Sequence, residues 1–348
     1  MNINIGNKTI GEGFPCFLIA EAGVNHNGSL DLAKKMIDAA ANANADAIKF
    51  QAFSADRLAL KDTPLVAYQK KTTQPLKNQH QLLKQLELGI NDFRNLKKHC
   101  ENRGIIFLSS PFDEINADEM QEIGVDAYKI PSGEITNIPL LIHIARKGKP
   151  VILSTGMATL CEVESAVQII EESGNGQIVL LQCTSEYPAD PSVVNLRAML
   201  TLKSVFNYDV GFSDHTIGIE VPLAAVAMGA KIIEKHFTLD RNMPGPDHQA
   251  SIDESELREL VNGVRKVEIA LGDGRKWPSM QEVETSQLVR KSIISKKDIN
   301  AGEMLTLDNI GTSRPGDGLP PSLIPFVLGK KAKEFIKSNS KIFLDQLL

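Results

Sequence analysis

Short apolar runs without polar alternation recur along the first 240 or so residues, and stretches of helical periodicity separate them. The runs are Cys16–Ala20, Asp46–Phe50, Ile105–Ser109, Ala127–Ile130, Pro150–Ser154, Ile178–Gln182, Asp209–Phe212 and Lys231–Glu234. Four or five apolar or β-branched residues in a row mark a strand buried on both faces, as in a parallel sheet covered by helices. Between the first two runs, Ser29 is placed to cap a helix carrying Leu30, Ala33, Ile37 and Ala40 at helical spacing. After the eighth, Asp253 and Glu256 form a capping-box pattern. Leu257, Leu260, Val261, Val264, Val267 and Leu271 then share one helical face, and Gly272 stops the helix. Eight strands alternating with helices predict a (β/α)8 TIM barrel, with an open doubly wound sheet as the structural alternative.

The polar residues sharpen that reading, because they gather at one end of each run. Glu21, Asn25 and His26 follow the first; Lys49 and Gln51 the second; Ser109, Ser110 and Pro111 the third. Ser132, Gly133 and Glu134 follow the fourth, and Ser154, Thr155 and Gly156 the fifth. The last three runs lead to Thr184, Ser185 and Tyr187, to Ser213, Asp214 and His215, and to Lys235 and His236. A barrel assembles its active site at the C-terminal ends of its strands, so these groups are expected to converge on one cup.

Composition narrows the class of molecule. Across 348 residues, 42% are hydrophobic and 23% charged, enough to bury a large core and one smaller one. The net charge of −5 argues against nucleic acid or an anionic membrane as a partner. The sequence shows neither a secretory leader nor a long apolar segment, which predicts a cytoplasmic protein. Cys16, Cys100, Cys161 and Cys183 lack metal-ligand spacing and read as buried free thiols.

Lys49, Lys129 and Lys235 lie in or beside buried strands, where an ammonium needs an anion. Pointing into one mouth beside Ser110, Ser132 and Ser213, they favour a phosphate or carboxylate ligand over structural ion pairs. His215 and His236 end neighbouring strands and, with Glu134 and Asp247 as carboxylate partners, suit a divalent ion. Glu21 either faces a sugar or proton-transfer partner or pairs with a barrel lysine. Residues 240–251 are too rich in Pro and Gly for a helix and read as a loop over the mouth.

Taken together, these strings resemble the sialic acid synthase family of nonulosonate synthases. The matching motifs are IAEAGVNHNG (19–28), KFQ (49–51), FLSSPFD (107–113), YKIPSGE (128–134), STGMA (154–158) and CTSEYP (183–188). GFSDHT (211–216), EKHFTLD (234–240), PGPDHQAS (244–251) and RPGDG (314–318) continue in the same order. The resemblance implies a metal-dependent condensation of phosphoenolpyruvate with an open-chain N-acylmannosamine. N-Acetylmannosamine is the leading sugar and its 2,4-diacetamido-2,4,6-trideoxy relative the alternative. It implies that His215 and His236 hold the metal, Mn2+ foremost, with Mg2+ or Co2+ as alternatives. Lys49, Ser110, Lys129, Ser132, Ser185 and Ser213 are then the phosphoenolpyruvate contacts. Glu134 and Asp247 position a metal-bound water, and Glu21, Gln51 and Tyr187 face the sugar. Some members carry Asn where Ser185 stands. The stretch 67–74 resembles members acting on N-acetylmannosamine or its diacetamido relative, while residues 132–134 and 244–251 disfavour the pseudaminic acid branch.

The composition changes after Trp277–Glu284, which places a barrel domain at 1–283 and a small domain at 284–348. The latter resembles the antifreeze-like (SAF) domain and is too short to be stable without a neighbour. The family implies a domain-swapped homodimer in which Arg314 reaches the partner's sugar site. Two other readings stay open: a Schiff-base aldolase using Lys129 or Lys235, and a non-catalytic sugar-binding barrel.

Overall fold

The computed structural model describes residues 2–66, 69–70, 73 and 76–348. It divides into two compact units, Met1–Gly272 and Asp273–Leu348. The first opens with a hairpin, β1 (Ile3–Ile5) and β2 (Lys8–Ile10). A closed parallel barrel follows, made of β3 (Phe17–Gly23), β4 (Ala47–Ala52), β5 (Ile106–Pro111) and β6 (Tyr128–Ile130). β7 (Val151–Ser154), β8 (Ile178–Cys183), β9 (Asp209–Asp214) and β10 (Ile232–His236) complete it, with β10 paired to β3. All eight predicted strands are present, in a closed rather than an open sheet. Most run one to three residues further than the apolar runs, so Glu21, Gln51, Ser110, Ser213, Lys235 and His236 belong to the strands themselves.

Strand alternation sorts the barrel into layers. Phe17, Ile19, Ala47, Leu108, Ala127, Ile152, Val179, Leu181 and Ile232 pack together with Ile3, Ile5 and Ile10 of the hairpin. Leu18, Ala20, Ile48, Phe50, Tyr128, Ile130, Leu153, Leu180, Phe212 and Ile233 instead join the core shared with the helices. At Gly211 a Cβ would sit 2.4 Å from the Ile232 carbonyl oxygen and 2.7 Å from Leu181, so only glycine lets β9 and β10 approach there.

The helices follow their sequence signals. Ser29 caps Leu30–Asn42 through the Leu32 N–H, with Ala33, Met36, Ile37 and Ala40 buried. Asp253 and Glu256 form a reciprocal capping box at the start of Glu254–Leu271, and Gly272 ends that helix at φ 61°. None of the described helices is long and apolar enough to cross a membrane.

The second unit contains the helix Met280–Val289 and an antiparallel pair, β11 (Ser292–Ser295) and β12 (Ile310–Ser313). Its core gathers Ile293, Ile299, Leu305, Ile310, Val327, Ala332, Ile336 and Ile342. The chain turns at Gly302, at φ 82°. One expectation fails: Cys161 is exposed, whereas Cys16, Cys100 and Cys183 are buried thiols.

Candidate active site

A cavity of about 410 Å³ opens at the C-terminal ends of the barrel strands. Its wall is the inward file of each strand, which changes from apolar to polar toward the mouth. Lys49 and Gln51 of β4, Ser110 of β5, Lys129 of β6 and Ser154 of β7 line it. Cys183 of β8, Ser213 of β9, and Glu234 and His236 of β10 line the far side.

Two lysines and two carboxylates form a buried chain across the floor. Lys49 Nζ lies 2.8 Å from Glu21 Oε2 and 3.7 Å from Glu234 Oε2, and donates to Ser110 Oγ at 3.0 Å. Lys129 Nζ lies 3.6 Å from Glu234 Oε1, which also accepts from the Ser213 hydroxyl at 2.8 Å. Burial opposes charge on Lys49, but Glu21 and Glu234 outweigh it and hold its pKa above the ordinary value. Lys129 is less well compensated, and burial pulls its pKa down. Burial also pushes Glu21 up, whereas the pull of Lys129 and Lys49 on Glu234 outweighs its burial and keeps it ionised.

Past the end of the strand that carries Lys129, hydroxyls and a backbone N–H converge. The Gly156 N–H donates to Ser132 Oγ at 2.9 Å. A Cβ on Gly156 would lie 2.4 Å from Ser185 Oγ and 2.7 Å from Ser132 Oγ, so glycine keeps this oxygen-lined cradle open. The Ser154 hydroxyl is buried without a partner.

The imidazoles of His215 and His236 stand with ring centroids 5.2 Å apart, and Tyr187 stacks over His215 at 4.1 Å. His215 Nδ1 donates to the Thr184 carbonyl at 2.6 Å, which leaves Nε2 for a ligand. His236 Nδ1 is buried without a partner. Burial, helped by His215, drives the His236 pKa well down, which keeps its ring neutral and able to coordinate. For His215, burial is outweighed by the pull of Cys183 and Thr184, and its pKa rises. The pair fits two nitrogen donors of a divalent-ion site; among the described residues no third His, Cys, Asp or Glu completes a cluster.

Asp247 is buried in an annex lined also by Gln51, Tyr187, His236, Leu82, Leu83 and Leu86. Burial, with the nearby Glu21 charge, pushes its carboxyl up to about 7.

The structure therefore brings together Glu21, Lys49, Gln51, Ser110, Lys129, Ser132, Ser185, Tyr187, Ser213, His215 and His236, with Asp247 in the annex. Asn25, His26, Ser109, Pro111, Thr155, Thr184 and Asp214, expected at the cup, do not line the cavity, and Glu134, Lys235 and Arg314 do not either. Glu134 does not line the cavity: it sits in the turn Ser132–Glu134, where its carboxylate accepts from the Asn137 side chain at 2.7 Å. Lys235 points to the opposite side of the wall from its neighbours and pairs with Asp214 at 2.5 Å. Arg314 is exposed in the second unit. The stretch 67–74 lies largely outside the described residues. Glu234 and Cys183 were missed, whereas Ser154 was expected and lines the cavity; strand alternation, which puts Glu234 on the face of His236, is the signal that identifies the first.

Residues 36–276 match the model of the NeuB family, and residues 290–348 match the SAF domain. The chain is 47% identical to the N,N'-diacetyllegionaminic acid synthase of Campylobacter jejuni, over 93% of this chain and 98% of that protein. It is 44% identical to the protein of the same name from Legionella pneumophila, over 98% and 97%. The crystal structure of the N-acetylneuraminic acid synthetase of Leptospira borgpetersenii superposes with a TM-score of 0.74 at 41% identity, covering 82% of this chain and 95% of that one.

Proposed function

The chain belongs to the NeuB family, and from that premise we propose that it condenses phosphoenolpyruvate with an N-acylated mannosamine-type sugar to give a nonulosonic acid and phosphate. The observation that carries this reading is the pairing of one anion-binding wall with one imidazole pair in a single cavity. Lys49, Lys129, Ser132, Ser185, His215 and His236 all line it, with Gly156 against the two serine hydroxyls and the imidazole centroids 5.2 Å apart.

The balanced step joins carbon 3 of phosphoenolpyruvate to the sugar aldehyde carbon, whose oxygen takes a proton and becomes a hydroxyl. Water adds to carbon 2, the bond from carbon 2 to the phosphate oxygen breaks, and phosphate leaves. Lys129, held by a 3.6 Å contact to Glu234 and a 3.3 Å hydrogen bond to the Ile130 carbonyl, is the cation most available to the incoming anion. Ser110, Ser132, Ser185 and Ser213 orient its oxygens, and much of the rate gain comes from holding two reactants in register. His215 and His236 are the residues to hold a divalent ion, Mn2+ foremost, which supplies Lewis-acid polarisation of the aldehyde oxygen. Gln51, Tyr187 and Asp247 line the space on the imidazole side, where the sugar fits, and Glu21 lies between that space and Lys49. The proposal retains the homodimer in which Arg314 acts on the partner's sugar.

A second reading concerns the sugar. The Campylobacter and Legionella relatives support 2,4-diacetamido-2,4,6-trideoxymannose as strongly as the Leptospira structure supports N-acetylmannosamine. Release of phosphate that depends on added sugar tests the common reaction, and comparison of the two sugars decides between them.

A further inference from the structure

Behind the imidazole pair, on the helix-facing side of the barrel wall, lies an ion pair that touches neither the cavity nor solvent. Lys235 Nζ sits 2.5 Å from Asp214 Oδ2, and both side chains are essentially inaccessible, at 1% and 0%. The other oxygen, Oδ1, accepts from the Thr216 N–H and the Thr216 hydroxyl, each at 2.9 Å. Lys235 also donates to the Thr216 carbonyl oxygen.

The sequence positions give these bonds their consequence. Asp214 and Thr216 flank His215, and Lys235 immediately precedes His236. Lys235 and Asp214 are also register partners across the β9–β10 ladder. A single ammonium thus grips the residues on both sides of one imidazole while fixed to the backbone of the other. An apolar pair could fill the same volume at similar stability, because desolvating two charges offsets most of their attraction. It would not impose a directed, fixed-length link between the strands.

We propose that Asp214 and Lys235 are positioning residues: their ion pair sets the separation and aim of His215 and His236 from behind the wall. This rests on the reading of those imidazoles as metal-holding groups and concerns a pair to which that reading gives no role.

The test uses the full chain with Asp214→Leu and Lys235→Met combined, which removes both charges together and avoids stranding one. Mn2+ binding and phosphoenolpyruvate binding are measured separately by calorimetry, with circular dichroism as the check on fold. The expected result is unchanged circular dichroism, phosphoenolpyruvate affinity within twofold of the parent, and Mn2+ affinity reduced tenfold or more. The kcat for phosphate release should fall while KM for phosphoenolpyruvate holds. A folded double variant with parental Mn2+ affinity overturns the proposal, as does an equal loss of both affinities. Where the double variant does not fold, Thr216→Val removes one bond to Asp214 and should weaken Mn2+ about threefold; unchanged Mn2+ affinity there also overturns it. A parent chain that binds phosphoenolpyruvate but no Mn2+ overturns the metal reading itself, and the proposal with it.

Discussion

Glu234 and Lys235 are adjacent in the chain and lie on opposite sides of the barrel wall. Glu234 enters the cavity, where it sits 3.6–3.7 Å from both Lys129 and Lys49; Lys235 pairs with Asp214 behind it. The charge balance of the site therefore depends on a residue whose neighbour takes no part in it.

Removing Glu234 alone leaves two buried ammonium groups competing for Glu21. Glu234→Leu should lower stability by about 3–5 kcal/mol, as breaking one side of a buried ion network does. Urea unfolding with an unchanged m-value is the measurement, and a change below about 1 kcal/mol would mean that solvent reaches this chain freely.

Gly156→Ala projects a methyl into the cradle between Ser132 and Ser185. The expected effect is a rise of tenfold or more in KM for phosphoenolpyruvate, with the sugar KM and the melting temperature close to parental. A change confined to the sugar KM would move the anion site elsewhere.

His26 and His248 are buried, and burial, with mutual repulsion acting on His26, lowers both to about 4. His248 Nδ1 lies 2.7 Å from the Thr238 hydroxyl oxygen. The unfolded chain binds these protons near pH 6.5 and the folded chain only near 4. Their stabilisation is therefore complete above the unfolded value and lost as pH falls from 6.5 toward 4. Each proton taken up on unfolding gives a slope of about 1.4 kcal/mol per pH unit. His248→Gln should flatten the stability–pH curve in that window by about one proton, and an unaltered slope would show that His248 is already charged in the folded state.

A Schiff-base mechanism would require a free lysine in the cavity. Lys235 is outside it, and Lys49 is bonded to Glu21 and Ser110. Borohydride added with both substrates should trap no lysine adduct, and a chelator should remove activity that Mn2+ restores. An adduct on Lys129 together with chelator-resistant turnover would favour the aldolase reading.

Much of this was legible in the sequence, and what was not has a common cause. The apolar runs gave all eight strands because burial on both faces leaves an unbroken hydrophobic signature. Ser29, the Asp253–Glu256 box and Gly272 gave helix ends because capping is local chemistry. What a run of apolar residues conceals is which face a polar residue takes at its end. That needs the period of two carried to the last residue, and it separates Glu234 and His236 from Lys235. Glu134 followed its strand closely enough to be expected in the cup, yet the turn at Ser132–Glu134 and the Asn137 amide hold it aside. Such a local hydrogen bond has no periodic signature. The expectation that His215 and His236 hold a metal came from their place at the ends of neighbouring strands and from motif resemblance, neither of which is a matter of hydrophobic period.

The most direct test of the central claim is phosphate release from phosphoenolpyruvate in Mn2+, with N-acetylmannosamine, with 2,4-diacetamido-2,4,6-trideoxymannose, and with no sugar. The account predicts release with at least one sugar, none without, and abolition in a His236→Ala chain of unchanged circular dichroism. Absence of sugar-dependent release with both sugars, or parental turnover by His236→Ala, would contradict it.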